Sequence, residues 1–150
     1  MTQKKVLVVA SAGGHWVQLM RMTPAFEHHQ IYWLSTIEGL SKQIPFGLFF
    51  KVRDASMWDK PGLLIMAIQI AWLMIRIRPK VVLTTGAAPG YFAVIFGRIL
   101  GAKTIWIDSI ANSEELSLAG KWAGRWAHHW LTQWPELSQK HGPDFIGSVL

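Results

Sequence analysis

The chain has 150 residues, 51% of them apolar, no cysteine, nine Trp and a formal net charge of +6. That length fits one domain with its own core, and the apolar share excludes a disordered chain. The absence of thiols excludes disulfides, thiolate zinc sites and cysteine nucleophiles, and it suits a reducing cytoplasm.

The basic balance points to an anionic partner. Nucleic acid is the weaker choice, because the basic residues are scattered and no nucleic-acid-binding motif is present. The tryptophans suit a membrane interface, where indole rings settle at headgroup level. The opening residues run straight into an apolar stretch too short for a secretory leader and without its cleavage site.

The predicted elements alternate. Residues 6–10 form an apolar strand, followed by Ser11-Ala12-Gly13-Gly14-His15 and a helix over 16–26. A second strand covers 30–35, and a third extended run covers 46–52 beside the breakers Pro45 and Gly47. A long apolar helix is predicted over 61–77, with Pro61 in its first turn and Pro79 as its stop. Then come a strand at 81–85, a loop at 86–90, and a helix at 91–100 that Gly101 ends. A strand at 103–108, a helix at 116–127 and a short last strand at 129–133 complete the series. Strands separated by helices imply parallel βαβ units, and fully apolar strands imply a sheet covered on both faces. The predicted class is therefore a Rossmann-like α/β fold.

The helix at 61–77 is unlike the others. Between residues 62 and 75 Gln69 is its one polar side chain, and it runs into Arg76, Arg78 and Lys80. A surface helix of a soluble domain shows a polar face, and a bilayer span needs about 20 apolar residues. Three readings stand: a buried core helix, a full span, or a helix lying in one leaflet. In the last, Leu64, Ile68 and Trp72 enter lipid while Arg76 and Arg78 meet phosphates. Lys51, Arg53 and Lys60 lie just upstream and extend the same basic rim.

Three segments follow strands and so meet at one sheet edge, where open α/β sheets bind ligands. In the first, Ser11, Gly13 and Gly14 offer bare backbone at a helix N-terminus, a natural phosphate cradle or simply a tight turn. It is neither a dinucleotide fingerprint nor a P-loop. His15 adds a titratable group able to act as a base. In the second, Thr85, Gly86 and Gly90 combine hydroxyl donors with open backbone, or form a turn without a ligand. In the third, Asp108 is the other candidate base or a loop-organising cap, with Ser109 and Asn112 beside it. Ser11, His15 and Asp108 could compose a hydrolase triad, but no Gly-x-Ser-x-Gly elbow is present. The pairs His28-His29 and His128-His129 diverge, so no metal site is expected.

These strings resemble a known family. Ser11 through His15, Thr85-Gly86 through Pro89-Gly90, Asp108-Ser109 with Leu116 through Lys121, and above all Gln133-Trp134-Pro135-Glu136-Leu137 are similar to the acceptor-side subunits of split GT-B glycosyltransferases. Examples are the membrane-anchoring subunit of the dolichol-linked N-acetylglucosaminyltransferase and bacterial exopolysaccharide glucuronosyltransferase subunits. The resemblance implies that residues 1–150 form a single domain equivalent to the N-terminal, acceptor-side half of a GT-B enzyme. A separate partner would supply the donor-binding C-terminal half. A UDP-sugar would lie at the shared interface, with a lipid-linked saccharide as acceptor. No cofactor is implied. His15 or Asp108 would take the proton of the acceptor hydroxyl, and Trp134, Pro135 and Glu136 would face the partner. Relatives often carry glutamate where Asp108 stands, which keeps the carboxylate and shortens its reach. Where eukaryotic relatives use an N-terminal anchor, the 61–77 helix would hold this chain to the cytoplasmic face of the plasma membrane. The alternative is a non-catalytic membrane adaptor that recruits the catalytic subunit.

Overall fold

A computed structural model describes residues 2–149. Its strands are β1 (Lys5–Val9), β2 (Gln30–Ser35), β3 (Leu48–Lys51), β4 (Val81–Thr84), β5 (Lys103–Ile107), β6 (His129–Thr132) and β7 (Asp144–Phe145). They form one parallel sheet in the order β3-β2-β1-β4-β5-β6-β7. The helices are α1 (Gly14–Arg21), α2 (Lys60–Ile77), α3 (Ala87–Ile99) and α4 (Leu118–Ala123).

The strand sequences explain the layers. Side chains alternate across a strand, and β1 is apolar at both parities. Val6, Val8 and Ala10 pack with Trp16 and Leu19 of α1 and with Phe26 and Trp33. Leu7 and Val9 pack on the other face with Met66, Ile70 and Met74 of α2 and Ala93 of α3. The chain steps outward from β1 to β3 and then returns through α2 to β4, on the far side of β1. The strand order therefore reverses between β1 and β4, and a crevice opens there at the carboxyl ends of the strands.

Several boundaries differ from the sequence reading. The first helix stops at Arg21, and Pro24 sits in a separate 3-10 turn, Thr23–Ala25, because its ring cannot continue an α-helix. The third extended run is a strand only from Leu48 to Lys51. The predicted loop at 86–90 is in fact the start of α3. Pro89 is tolerated there because a first-turn N–H has no intrahelical partner to lose. Gly90 faces β4, where a Cβ would run into the Thr84 side chain. The helix predicted over 116–127 shrinks to α4, capped by Ser117, whose hydroxyl accepts from Gly120 N at 2.9 Å. The two-residue strand β7 has no counterpart in the sequence reading.

Helix α2 begins where Asp59 caps it, accepting from Gly62 N at 2.9 Å, and ends at Arg78 in the left-handed conformation. Met66, Ile70, Leu73, Met74 and Ile77 are buried against the sheet. The opposite face exposes Leu64, Ile68, Trp72 and Ile75 at 63%, 60%, 58% and 57%. The helix is long and apolar enough to cross a membrane by length and composition, yet it forms one layer of this domain. One of its faces is therefore core, and the other is an exposed apolar stripe.

Candidate functional site at the sheet switch point

Two loops frame the crevice between β1 and β4. The first carries Ser11, Gly13 and Gly14. Gly13 takes φ 79°, and a Cβ on either glycine would meet open space. Their backbone is therefore bare and accessible. Neither α1 nor α3 has a side-chain cap or an acidic residue in its first turn. Two uncapped helix N-termini thus bring partial positive charge to one crevice.

His15 bridges the loops. Its Nδ1 lies 2.8 Å from the Thr85 carbonyl oxygen, and the Thr85 hydroxyl donates to the His15 carbonyl at 2.6 Å. A carbonyl can only accept, so Nδ1 carries the proton and the neutral ring keeps its lone pair on Nε2. Gly86, at φ 125°, makes room for the ring, since a Cβ there would stand 2.9 Å from the imidazole. The next residue, Ala87, also has positive φ, 67°, which is uncommon without glycine. Backbone held in that region clusters at functional sites.

The threonine hydroxyls are engaged within the fold. Thr84 Oγ1 donates to the Val9 carbonyl at 2.8 Å and accepts from Gly86 N at 3.0 Å. Gly90 is buried in α3, below the crevice mouth. At the edge that remains open, the structure therefore brings together Ser11, Gly13, Gly14 and His15, with Thr85 and Gly86 buried behind the imidazole.

Asp108 lies one strand further, after β5, and is 1% exposed. Its Oδ1 accepts from Trp106 Nε1 at 3.1 Å and Ser117 Oγ at 2.6 Å. Its Oδ2 accepts from Asn112 Nδ2 at 3.2 Å and Ser117 N at 3.0 Å. With both oxygens engaged, Asp108 organises the loop between β5 and α4. It does not bond His15, so no Ser-His-Asp triad forms.

A buried glutamine pair ties this loop to α1, and sequence reasoning missed its role. Gln18, one turn after His15, donates to Ser109 Oγ at 3.1 Å and accepts from Ile110 N at 3.3 Å. Gln133 donates to Gln18 Oε1 at 2.7 Å and to the Asp108 carbonyl at 2.9 Å, and accepts from Val149 N at 2.7 Å. The available signal was Gln18 itself, a polar residue set among the apolar positions of a short helix. Trp134 is half-buried and donates to the Ile110 carbonyl at 2.7 Å, while Pro135 and Glu136 are exposed. Arg76 and Arg78 lie at the opposite edge, where α2 ends and β4 begins. Among the described residues no three His, Cys, Asp or Glu side chains converge as metal ligands.

A parallel Rossmann-like sheet with its open edge at the β1/β4 switch point is the architecture of the N-terminal half of a GT-B glycosyltransferase. Solved structures agree on the fold. MurG of Acinetobacter baumannii superposes with a TM-score of 0.78 at 14% identity, over 97% of this chain and 45% of MurG. UDP-N-acetylglucosamine 2-epimerase from Rickettsia bellii gives 0.70 at 10% identity, over 90% of this chain and 40% of the epimerase. The chain thus spans less than half the length of these structures. The family described as "Oligosaccharide biosynthesis protein Alg14 like" matches residues 51–149. The chain belongs to that Alg14-like family. A human relative, "UDP-N-acetylglucosamine transferase subunit ALG14", is 26% identical over an alignment 178 residues long, covering 97% of this chain and 82% of the human protein.

Proposed function

We propose that this chain is the acceptor-side, membrane-associated subunit of a two-chain glycosyltransferase that acts on a lipid-linked saccharide. The observation that carries the proposal is the tautomer of His15. Nδ1–H is held by the Thr85 carbonyl, and Nε2 is left as a proton acceptor at the switch point. The acceptor hydroxyl would give its proton to Nε2 as its oxygen attacks the anomeric carbon of the nucleotide sugar, and the nucleoside diphosphate leaves with the bonding electrons. The bare backbone at Gly13 and Gly14 and the α1 N-terminus suit a diphosphate, whether of donor or acceptor. Asp108 then positions the edge and does not move the proton. Support for a separate donor half comes from the human relative, which carries the word subunit in its own name and is largely covered by this chain.

The membrane part of the proposal rests on α2. Its exposed apolar stripe faces away from the sheet, and covering it contributes roughly 25 cal/mol for each Å² of apolar surface withdrawn from water. Lys60 lies at one end of the stripe and Arg76 and Arg78 at the other, and Arg76 stands 5.4 Å from the centre of the Trp72 ring. Trp122 of α4 is 51% exposed and, with Tyr91, Trp126, Lys121 and Arg125, lines an aromatic, cationic hollow of about 450 Å³.

The test is turnover of the chain reconstituted with its donor-side partner on a lipid-diphosphate saccharide. His15→Ala should lower turnover by about 10²–10⁴-fold, the usual worth of a general base, without loss of complex. The adaptor reading draws on the internal engagement of Thr84, Thr85, Ser109 and Asp108. Full turnover by both His15→Ala and Asp108→Ala in the intact complex establishes it instead.

A further inference from the structure

The edge of the sheet opposite the site carries an unusual charge arrangement. Lys5, Lys80 and Lys103 stand at or just before the first residues of β1, β4 and β5, three neighbouring parallel strands. Lys80 N donates to the Lys5 carbonyl at 2.8 Å, and Lys103 N to the Lys80 carbonyl at 2.9 Å, so the three share one end of the sheet, with Lys103 one residue further along, opposite Val81. Strands lie about 4.8 Å apart, and like charges side by side repel. The ion pairs among the described residues are Arg53–Asp59 and Lys121–Glu115, and neither reaches this row. From residue 60 to residue 103 the sequence contains no Asp or Glu.

The row lines a groove of about 820 Å³ together with Lys4 and Arg78, and among the described residues no carboxylate lines it. Arg78 holds φ 53° and ψ 59° at the end of α2, a left-handed cap that glycine adopts without cost. A second hollow of about 360 Å³ adjoins the first and shares Arg78 and Lys80, but its other walls are Met74, Ile75, Pro79, Leu100 and Gly101. Cations on one side and an apolar slot on the other match an anionic amphiphile, where a free phosphate or a nucleic acid would fill only the cationic part.

We infer that this edge holds the phosphate headgroup of an anionic membrane lipid, with an acyl chain entering the slot beside Ile75 and Leu100. The inference rests on the membrane reading of α2 and adds a second, charge-selective contact at the end of the helix remote from His15. It makes membrane attachment depend on headgroup charge as well as on apolar contact.

The experiment is vesicle binding by the full chain, using phosphatidylcholine with and without phosphatidylglycerol. The wild-type chain should prefer the anionic vesicles. Lys80→Gln with Lys103→Gln should weaken that binding by roughly fivefold for each lysine removed, the usual attraction of one cation to an anionic leaflet. Their side chains are exposed, so the melting temperature should hold. Arg78→Gly removes a charge and the left-handed strain together, so it should bind anionic vesicles less while melting no lower. Unchanged anionic binding in the double variant overturns the inference, as does release of the wild-type chain by soluble glycerol phosphate, which would make this a free-phosphate site. Equal binding to both vesicles, lost in a Leu64, Ile68 and Trp72 polar variant, keeps the membrane reading and rejects the groove. Failure to bind either vesicle rejects the membrane reading itself.

Discussion

At the residue scale, three side chains are held by contacts that the fold supplies. His15 is held as the Nδ1–H tautomer by a carbonyl and not by a carboxylate, so its orientation depends on backbone that Gly86 keeps clear. Gly86→Ala should therefore push the imidazole off Thr85 and lower turnover of the complex while complex formation survives. The shift of the His15 ring resonances in NMR checks the cause. Asp108 receives four donors on two buried oxygens. In Asp108→Asn one acceptor oxygen becomes an NH₂ group facing donors, which should cost about 2–4 kcal/mol in denaturant unfolding. If Asp108 only organises the loop, the pH profile of the remaining turnover keeps its shape. His128 bears on pH dependence. Local desolvation of this exposed residue first, then Arg98, Lys103 and His129, hold its pKa below the ordinary value of 6.5, and its Nδ1 accepts from Thr104 N at 3.1 Å. Protonation is thus harder in the folded state, and the unfolded chain binds the extra proton. The contribution to stability is full above 6.5 and is lost as pH falls through the lowered value. The ring lies at the surface, where solvent screens its neighbours, so the drop in melting temperature across mildly acidic pH should be only slightly smaller in His128→Asn than in the wild-type chain.

At the element scale α2 separates packing from surface function. Ile70 is fully buried and Ile68 is 60% exposed, two residues apart on one helix. Ile70→Ala should cost about 2–5 kcal/mol of stability. Ile68→Ser, with Leu64→Ser, should cost under about 1 kcal/mol and still reduce flotation with liposomes. Unfolding of the second variant would make the stripe structural. Helix α3 shows a different economy. Gly90 and Gly97 lie where a Cβ would strike Thr84 in one case and Val82 in the other, so the helix presses close on β4. That close approach lets its uncapped N-terminus reach the crevice beside Gly86.

The scale of the whole molecule brings the loops together. Gln18 and Gln133 join α1, the segment after β5 and the segment before Val149 into one buried polar network. Gln133→Leu would leave the Gln18 and Asp108 carbonyl oxygens and the Val149 amide without this partner. It should loosen all three segments together, read as faster amide exchange at Ile110, Gln18 and Val149. The same architecture separates two chemically different edges. One end of the sheet carries His15 and the bare glycine backbone, and the other carries the lysine row, with α2 running between them for roughly 27 Å.

The sequence alone determined the sheet, because Val6 through Val9 and Val81 through Leu83 are apolar at both parities and fit only strands covered on both faces. It also marked His15 and the two glycines, since that turn follows an apolar strand at once. It could not place the start of α3, because Ala87-Ala88-Pro89-Gly90 carries loop-forming residues that a helix accepts only in its first turn. It could not find β7, whose two residues carry no apolar pattern of their own. Tertiary structure decided what no local pattern encodes. Thr85, 70 residues from His15, fixes which imidazole nitrogen is free. Contacts from Trp106, Asn112 and Ser117 occupy both oxygens of Asp108, which the sequence marks only as a candidate base. The sheet buries one apolar face of α2 and leaves the other exposed, because a helix lying on a sheet has only one side to cover.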